Sequence, residues 1–578
     1  MPSTTFKPRT DDRQIEATGR LAYVGRADKG ANNWCCRIVS PAVILTILLS
    51  AFFFLQCFLP LRTAILIGAD EGFELAKATL CLKGYRLYAD VWNDQPPLHT
   101  FLITQVLKQL TPSILGPRLM TSVFAAILLS SAFFISLRVS GLFIAALTAT
   151  LLIASPGFIE LSASCMLEIP ALAPTVAALG VLLVGRQSKW HVLEIIAGLF
   201  LGIAFQIKLV SVILLPLAAL IVWLRQRELT LQRNASVPPT TLRGRDGRAA
   251  LFRSFLFFGA SLAIGFVAID YLIDRGAFLL HFQQSWSSHF ASAKSFEYGS
   301  AAEHPFEWNI FLKNWDTTVP ALLGIVFLLR TECVALRTRG RMTTRQGSSS
   351  RRRSPGSESG ERVPAGRARG YSGRAGKVAF DIVPFAWLVL TLSVFATHRP
   401  WWSYYYIHFA IPLCWCAAIG ISTAWQWIHR RRQMGLSSLL GAFAVCAATW
   451  MGSRVYLQIS GIRHSPQTYK SLLLGQIERL KPFAKYIYTD ESIYSFHAGI
   501  PMPPDLAVVP LKRLWSGDLT NARVAEKMQE VQPEVILLRN DTREVPFQDL
   551  INAEYRVVYQ DADHRLYTKK VLAKQAGY

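Results

Sequence analysis

Two carboxylates, Asp70 and Glu71, stand side by side directly after an apolar run, and a third, Asp94, follows in Trp92-Asn93-Asp94-Gln95-Pro96-Pro97-Leu98. A carboxylate at an apolar boundary can serve as a general base, because partial desolvation disfavours its ion and raises its basicity. Asp70 is the candidate for that work, with Asp94 bringing a second carboxylate back toward the same place. A plainer reading fits the same residues: Asp70 as a helix N-cap and Glu71 as a first-turn acid, with Asp94 a turn residue before Pro-Pro. Spacing alone does not separate the two.

The elements that must hold these groups are membrane spans. Val39 to Leu59 carries no charge over about 20 residues, which at roughly 1.5 Å per residue crosses a bilayer core of about 30 Å. The charged stretch Gly68 to Leu98 therefore emerges at a membrane surface. The 578-residue chain is 51% hydrophobic, too apolar for an ordinary soluble protein. Its net charge of +23 falls in loops between apolar runs, the distribution of a polytopic protein with basic loops inside, and no nucleic-acid partner is expected. The nine cysteines match no zinc or redox spacing, and none follows Met451.

In chain order, residues 1–38 read as a basic cytoplasmic tail and 39–453 as a membrane domain of eleven α-helical spans. Its first external loop is 60–116. Leu98 to Leu110 is too short and polar to span and reads as an interfacial helix. His191 to Leu224 reads as two short spans with an outer turn at Lys208. A Gly/Ser/Arg-rich block at 331–377 has too few apolar residues to pack and reads as a disordered inner connector. The last span is Gly435 to Gly452. Residues 454–578 then alternate helical and strand patterns, a small external α/β domain with strands near 484–489, 534–539, 555–559 and 565–568 and a helix at 521–531. A transporter is the competing class; no internal repeat and no matched pair of broken helices supports it.

The run GADEGFELAKATLCLKGYRLYADVWNDQPPL resembles the first external loop of the C-type glycosyltransferases, which include the protein O-mannosyltransferases and the transferases that put aminoarabinose on lipid A. Met166-Leu167-Glu168-Ile169-Pro170-Ala171, Gly202 to Lys208 and Pro400-Trp401-Trp402-Ser403-Tyr404-Tyr405-Tyr406 continue the resemblance in order along most of the chain. It implies an inverting transfer with Asp70 as base, and Glu71 orienting the loop or binding the acceptor. The acceptor would be a lipid, glycan or protein on the outer side of the plasma membrane. A polyprenyl-phosphate sugar is the expected donor, because nucleotide sugars are made on the opposite side. The leaving phosphate needs cations rather than an acid. Arg62, Lys208, Lys294 and Arg399 are the candidates, and Lys208 also fits as a snorkelling residue. Asp94, Gln95, Glu168, Trp401, Tyr404 and Tyr405 are expected in the substrate pocket, although the aromatic residues equally suit an interfacial belt. Relatives in the lipid A branch carry Glu-Lys where this chain has Asp94-Gln95, so a phosphate-binding lysine is missing there. No cofactor is required; a divalent metal ion, if one binds, would draw on Asp94, His281 and His398, with His289 nearby.

Overall fold

Ser40 starts the first apolar helix: its hydroxyl accepts from the Ala42 N–H at 3.3 Å, and Pro41 fills a first-turn position where a missing N–H costs nothing. That helix is α1 (Pro41–Gln56). In this computed structural model the described residues are 40–110, 113–184, 191–236, 245–274, 277–287, 303–330, 380–431, 434–464, 471–542 and 545–578. The N-terminal tail, His289, Lys294 and the block at 331–377 lie outside them.

After the loop 57–70 come α2 (Glu71–Leu82) and α3 (Leu98–Gln109), the latter at the position read as interfacial. Apolar helices follow: α4 (Leu115–Ser140), α5 (Leu142–Ile153), α6 (Glu168–Val184) and α7 (Val192–Ile207). The chain breaks at Lys208, which is extended (φ −153°, ψ 125°), and a 3-10 turn, Leu209–Leu214, leads into α8 (Leu215–Ser236). Next are α9 (Arg245–Asp274), the short α10 (Phe278–Phe282), a helix over 315–330, α11 (Val383–Phe395), α12 (Tyr406–Arg431) and α13 (Met434–His464). Among the described residues five helical stretches are long and apolar enough to cross a membrane, and five further apolar helices are shorter. Phe133, Leu172, Leu201, Trp387 and Trp415 pack the interior, while Ile264, Leu272, Leu322 and Leu439 point outward, the pattern of helices whose outer surface meets lipid.

The last span outruns its expected end at Gly452. Arg454 reads in the sequence as the start of a polar tail, yet it lies within α13, where its guanidinium meets Asp316 at 2.8 Å and the Ala154 carbonyl at 3.0 Å. A paired charge does not terminate a helix. Beyond it lies the α/β domain: α14 (Leu472–Leu480), β1 (Ile487–Thr489), α15 (Ser492–Ala498), α16 (Leu511–Trp515), α17 (Asn521–Val531), β2 (Val535–Arg539), β3 (Tyr555–Gln560) and β4 (His564–Lys569). The sheet order is β1-β2-β4-β3, with Tyr488 beside Ile536 in the parallel pair and Ile536 beside Tyr567 in the antiparallel one. Residues 535–538 of β2 are buried, as befits an inner strand covered on both faces.

The domain does not hang free of the first loop. Leu75, Trp92 and Ile103 share one apolar cluster with Leu473, Ile487, Val508 and Leu537. Gly72 permits the contact: a Cβ there would come within 2.7 Å of the Ile493 backbone nitrogen. Only a residue without a side chain lets α2 lie this close to α15.

Candidate functional site

The first loop is wound around one guanidinium. Arg118, fully buried near the start of α4, donates to the carbonyls of Leu61 (2.9 Å), Ala64 (2.8 Å) and Ile65 (3.4 Å), and to Glu71 at 2.8 and 2.7 Å. Glu71 also accepts from the N–H groups of Ile67 (3.0 Å) and Cys165 (3.1 Å). Burial alone would raise its pKa, and these donors, Arg118 first, hold it below the usual carboxylate range instead. Both Glu71 oxygens are thus committed. These contacts tie the first loop to Arg118, the arrangement expected of a loop-orienting residue rather than of a base.

Asp70 faces another way. It occupies the N-cap position of α2, but its side chain makes no capping hydrogen bond. Its half-buried carboxylate instead accepts from the Tyr404 hydroxyl at 3.2 Å. Burial, and then the nearby Glu168, push its pKa up to about 6, against the opposing pull of Lys208 and of the Tyr404 hydrogen bond. Such a carboxylate is ionised at neutral pH and far more basic than an exposed one.

Lys208, at the break between α7 and α8, makes an ion pair with buried Glu168 at the start of α6. Its ammonium lies 5.4 Å from the ring centroids of both Tyr404 and Tyr405. It is a buried, paired cation rather than a snorkelling one. Asp70, Glu168, Lys208, Tyr404 and Tyr405 thus converge from four places in the chain. Asp94 joins them from α2's far loop: its carboxylate accepts from the Gln95 amide at 2.8 Å and pairs with Lys512 of α16 at 2.6 Å. The Asp94 loop rests on a buried network in which Lys77 donates to Glu74 (2.6 Å) and Asn93 (2.8 Å), with His99 against Glu74 at 3.2 Å. The half-buried His398 stands over Tyr405, and burial, then Lys512 and Lys208, lower its pKa.

Two expectations need correction. Trp401 lines no open pocket; it is buried against Phe306, Phe395 and Phe409, with ring centroids 4.5 to 5.9 Å away, because the turn after Pro400 folds it into the apolar interior. Asp94, His281 and His398 do not form one metal site. His281 pairs with Asp270 at 2.6 Å and stacks on Tyr88, and the group that could hold a metal ion among the described residues is Asp270, Asp274 and His281. Arg62 is exposed in the loop before Asp70, and Lys294 lies outside the described residues. Sequence reasoning missed Arg118, Lys77 and Lys512. For the first two a signal existed: charged residues within apolar helical segments, next to carboxylates that need partners.

Comparison with known proteins follows this geometry. Residues 95–285 match the model of the dolichyl-phosphate-mannose-protein mannosyltransferase family. A search of curated proteins by sequence found no match. Among solved structures, ArnT from Cupriavidus metallidurans bound to undecaprenyl phosphate is 14% identical, with a TM-score of 0.56 over 90% of this chain and 97% of that one. Its apo form gives 0.55, also at 14% identity, over 91% and 98%. The oligosaccharyltransferase AglB from Archaeoglobus fulgidus, in complex with an inhibitory peptide and a dolichol-phosphate, is 12% identical, with a TM-score of 0.50 over 86% of this chain and 69% of that one. The resemblance carried by the loop of Asp70 and Asp94 thus extends to the architecture: the chain is a polytopic membrane protein with the C-type glycosyltransferase fold and a small C-terminal α/β domain.

Proposed function

We propose that the protein is an inverting membrane glycosyltransferase that takes a sugar from a polyprenyl-phosphate donor on the outer face of the plasma membrane, with Asp70 as general base. The observation that carries this reading is Asp70 itself: an N-cap carboxylate that caps nothing, raised in basicity by burial and aligned by Tyr404. The fold and the matched mannosyltransferase segment supply the reaction class, and the undecaprenyl phosphate in the ArnT structure supplies a precedent for the donor.

In this mechanism the acceptor's O–H or N–H gives its proton to Asp70 as the nucleophile attacks the anomeric carbon from the face opposite the phosphate. The bond from that carbon to the phosphate oxygen breaks, and its electron pair leaves on the polyprenyl phosphate. No acid is needed, since cations stabilise the departing anion. Lys208, paired with Glu168 and lying over Tyr404, is one such cation, and Arg399 in the turn before Tyr404 is another. The aromatic pair Tyr404 and Tyr405 would border the sugar. The acceptor stays open among lipid, glycan and protein.

The test is transfer by the full-length protein in vesicles supplied with a polyprenyl-phosphate sugar. Asp70→Asn keeps shape and loses the proton acceptor, so turnover should fall about 100- to 10,000-fold while donor binding persists. Near-normal transfer by that variant, or transfer from a nucleotide sugar with no lipid present, would sink the reading.

A further inference from the structure

The cation pair at the site draws on both domains of the chain. Lys208 comes from the membrane domain and is matched by Glu168; Lys512 comes from the C-terminal domain and is matched by Asp94. Both ammonium groups act electrostatically on Asp70 and on His398. Lys208 lies over the ring of Tyr404, the donor to Asp70, and the helix of Lys512 reaches Trp402, two residues earlier, through His304.

Lys512 is held in place rather than merely near. Its neighbour Arg513 donates to the carbonyls of Asp505 (2.8 Å) and Val508 (3.0 Å), pairs with Asp518 at 3.1 Å, and lies 5.0 Å from the Trp92 ring of the first loop. Trp515, one turn on, packs 5.5 Å from His304, whose other side meets Trp402 at 4.9 Å. α16 is thus pinned to the outer segments of the membrane domain on both sides of Lys512. The lysine is half-buried, and its side chain shares the Asp94 oxygen with the Gln95 amide. When the ammonium turns toward an incoming anion, Gln95 remains as a donor to Asp94.

Charge decides what this lysine is for. Of the groups named here, the carboxylates of Asp70, Asp94 and Glu168 stand against the ammonium groups of Lys208 and Lys512, a net charge of −1 that would fall to −2 without Lys512. A phosphate would be repelled more strongly from a site so charged. We infer that Lys512 is a donor-phosphate ligand, so that the C-terminal domain completes the active site of the membrane domain instead of serving as an appendage. This rests on the reading that the donor is a lipid phosphate, and it assigns to residue 512 a contact with the leaving phosphate opposite Lys208.

The experiment is binding of a short-chain polyprenyl phosphate to the full-length protein in detergent, by calorimetry, alongside the donor KM in the transfer assay. Lys512→Gln should weaken phosphate binding and raise the donor KM about 10- to 100-fold, the scale of one charge-assisted hydrogen bond, with the acceptor KM unchanged. Lys512→Arg should recover most of the loss. Gln95 donates to the same Asp94 oxygen, so Gln95→Lys in the Lys512→Gln background places an ammonium at that carboxylate from the loop side and should restore binding. A merely structural ion pair would not be rescued in this way. If Lys512→Gln binds the phosphate within twofold of the parent, or if Gln95→Lys fails to restore a lost affinity, the inference is overturned while the lipid-phosphate reading stands. If the unsubstituted protein binds no polyprenyl phosphate, both fall together.

Discussion

The Tyr404 hydroxyl and the Asp70 carboxylate, 334 positions apart in sequence, meet at 3.2 Å. A hydrogen bond donated to the ionised form favours it, so Tyr404 pulls Asp70 down against the burial that pushes it up. As a base, Asp70 works only when ionised. The rate should therefore hold at neutral pH and fall as pH drops through about 6, the value to which Asp70 is raised. Tyr404→Phe removes the one neutral donor that lowers it, and the acid limb of kcat/KM should move to higher pH. A limb that stays put in a pH–rate profile would mean that the tyrosine positions substrate only.

Glu71 and Arg118 form a buried pair with every oxygen engaged. Removing one partner leaves a desolvated charge, a loss of about 3–5 kcal/mol. Arg118→Met should accordingly lower the unfolding midpoint of the detergent-solubilised protein far more than Asp70→Asn does. Since Arg118 also holds three loop carbonyls, the variant's residual activity should be small even below its midpoint. Equal midpoints for the two variants would show that the loop is held by its apolar contacts alone.

A Cβ at Gly72 meets backbone, which cannot turn aside as a side-chain tip can. Gly72→Val should therefore lift the C-terminal domain from α2 without unfolding either part. Hydrogen exchange should quicken in α15 and in the Asp94 loop, and donor KM should rise as it does for Lys512→Gln. Unchanged exchange in α15 would mean the interface absorbs the methyl groups.

What the sequence revealed and what it hid follow from range. The break at Lys208, the helix after Pro97 and the strands of the tail were readable, because apolar periodicity and turn residues act within a few positions. The place of Asp70 was readable too, from its boundary with the apolar run. The partner of Asp94 was not, since Lys512 lies in a tail where lysines are common and nothing local marks it. Arg454 misled for the opposite reason: as a charge at the end of an apolar stretch it signals a boundary, and only tertiary structure supplies the Asp316 that lets the helix run on. His281 was judged by ligand type, whereas its pairing with Asp270 is set by tertiary contact.

The winding of the first loop about Arg118 also bears on how the chain comes into being. A ribosome delivers Asp70 and Glu71 well before residue 118, so the loop has no centre to close on until the following span enters the bilayer. Lys512 emerges about 400 residues later still, which at about 5–20 residues per second is a delay of tens of seconds. During that interval the nascent membrane domain has Asp70 and Lys208 but not Lys512. On the proposed reading, a chain cut before the last domain would leave a membrane domain that lacks Lys512 and binds the donor more weakly, by at least the factor expected for Lys512→Gln.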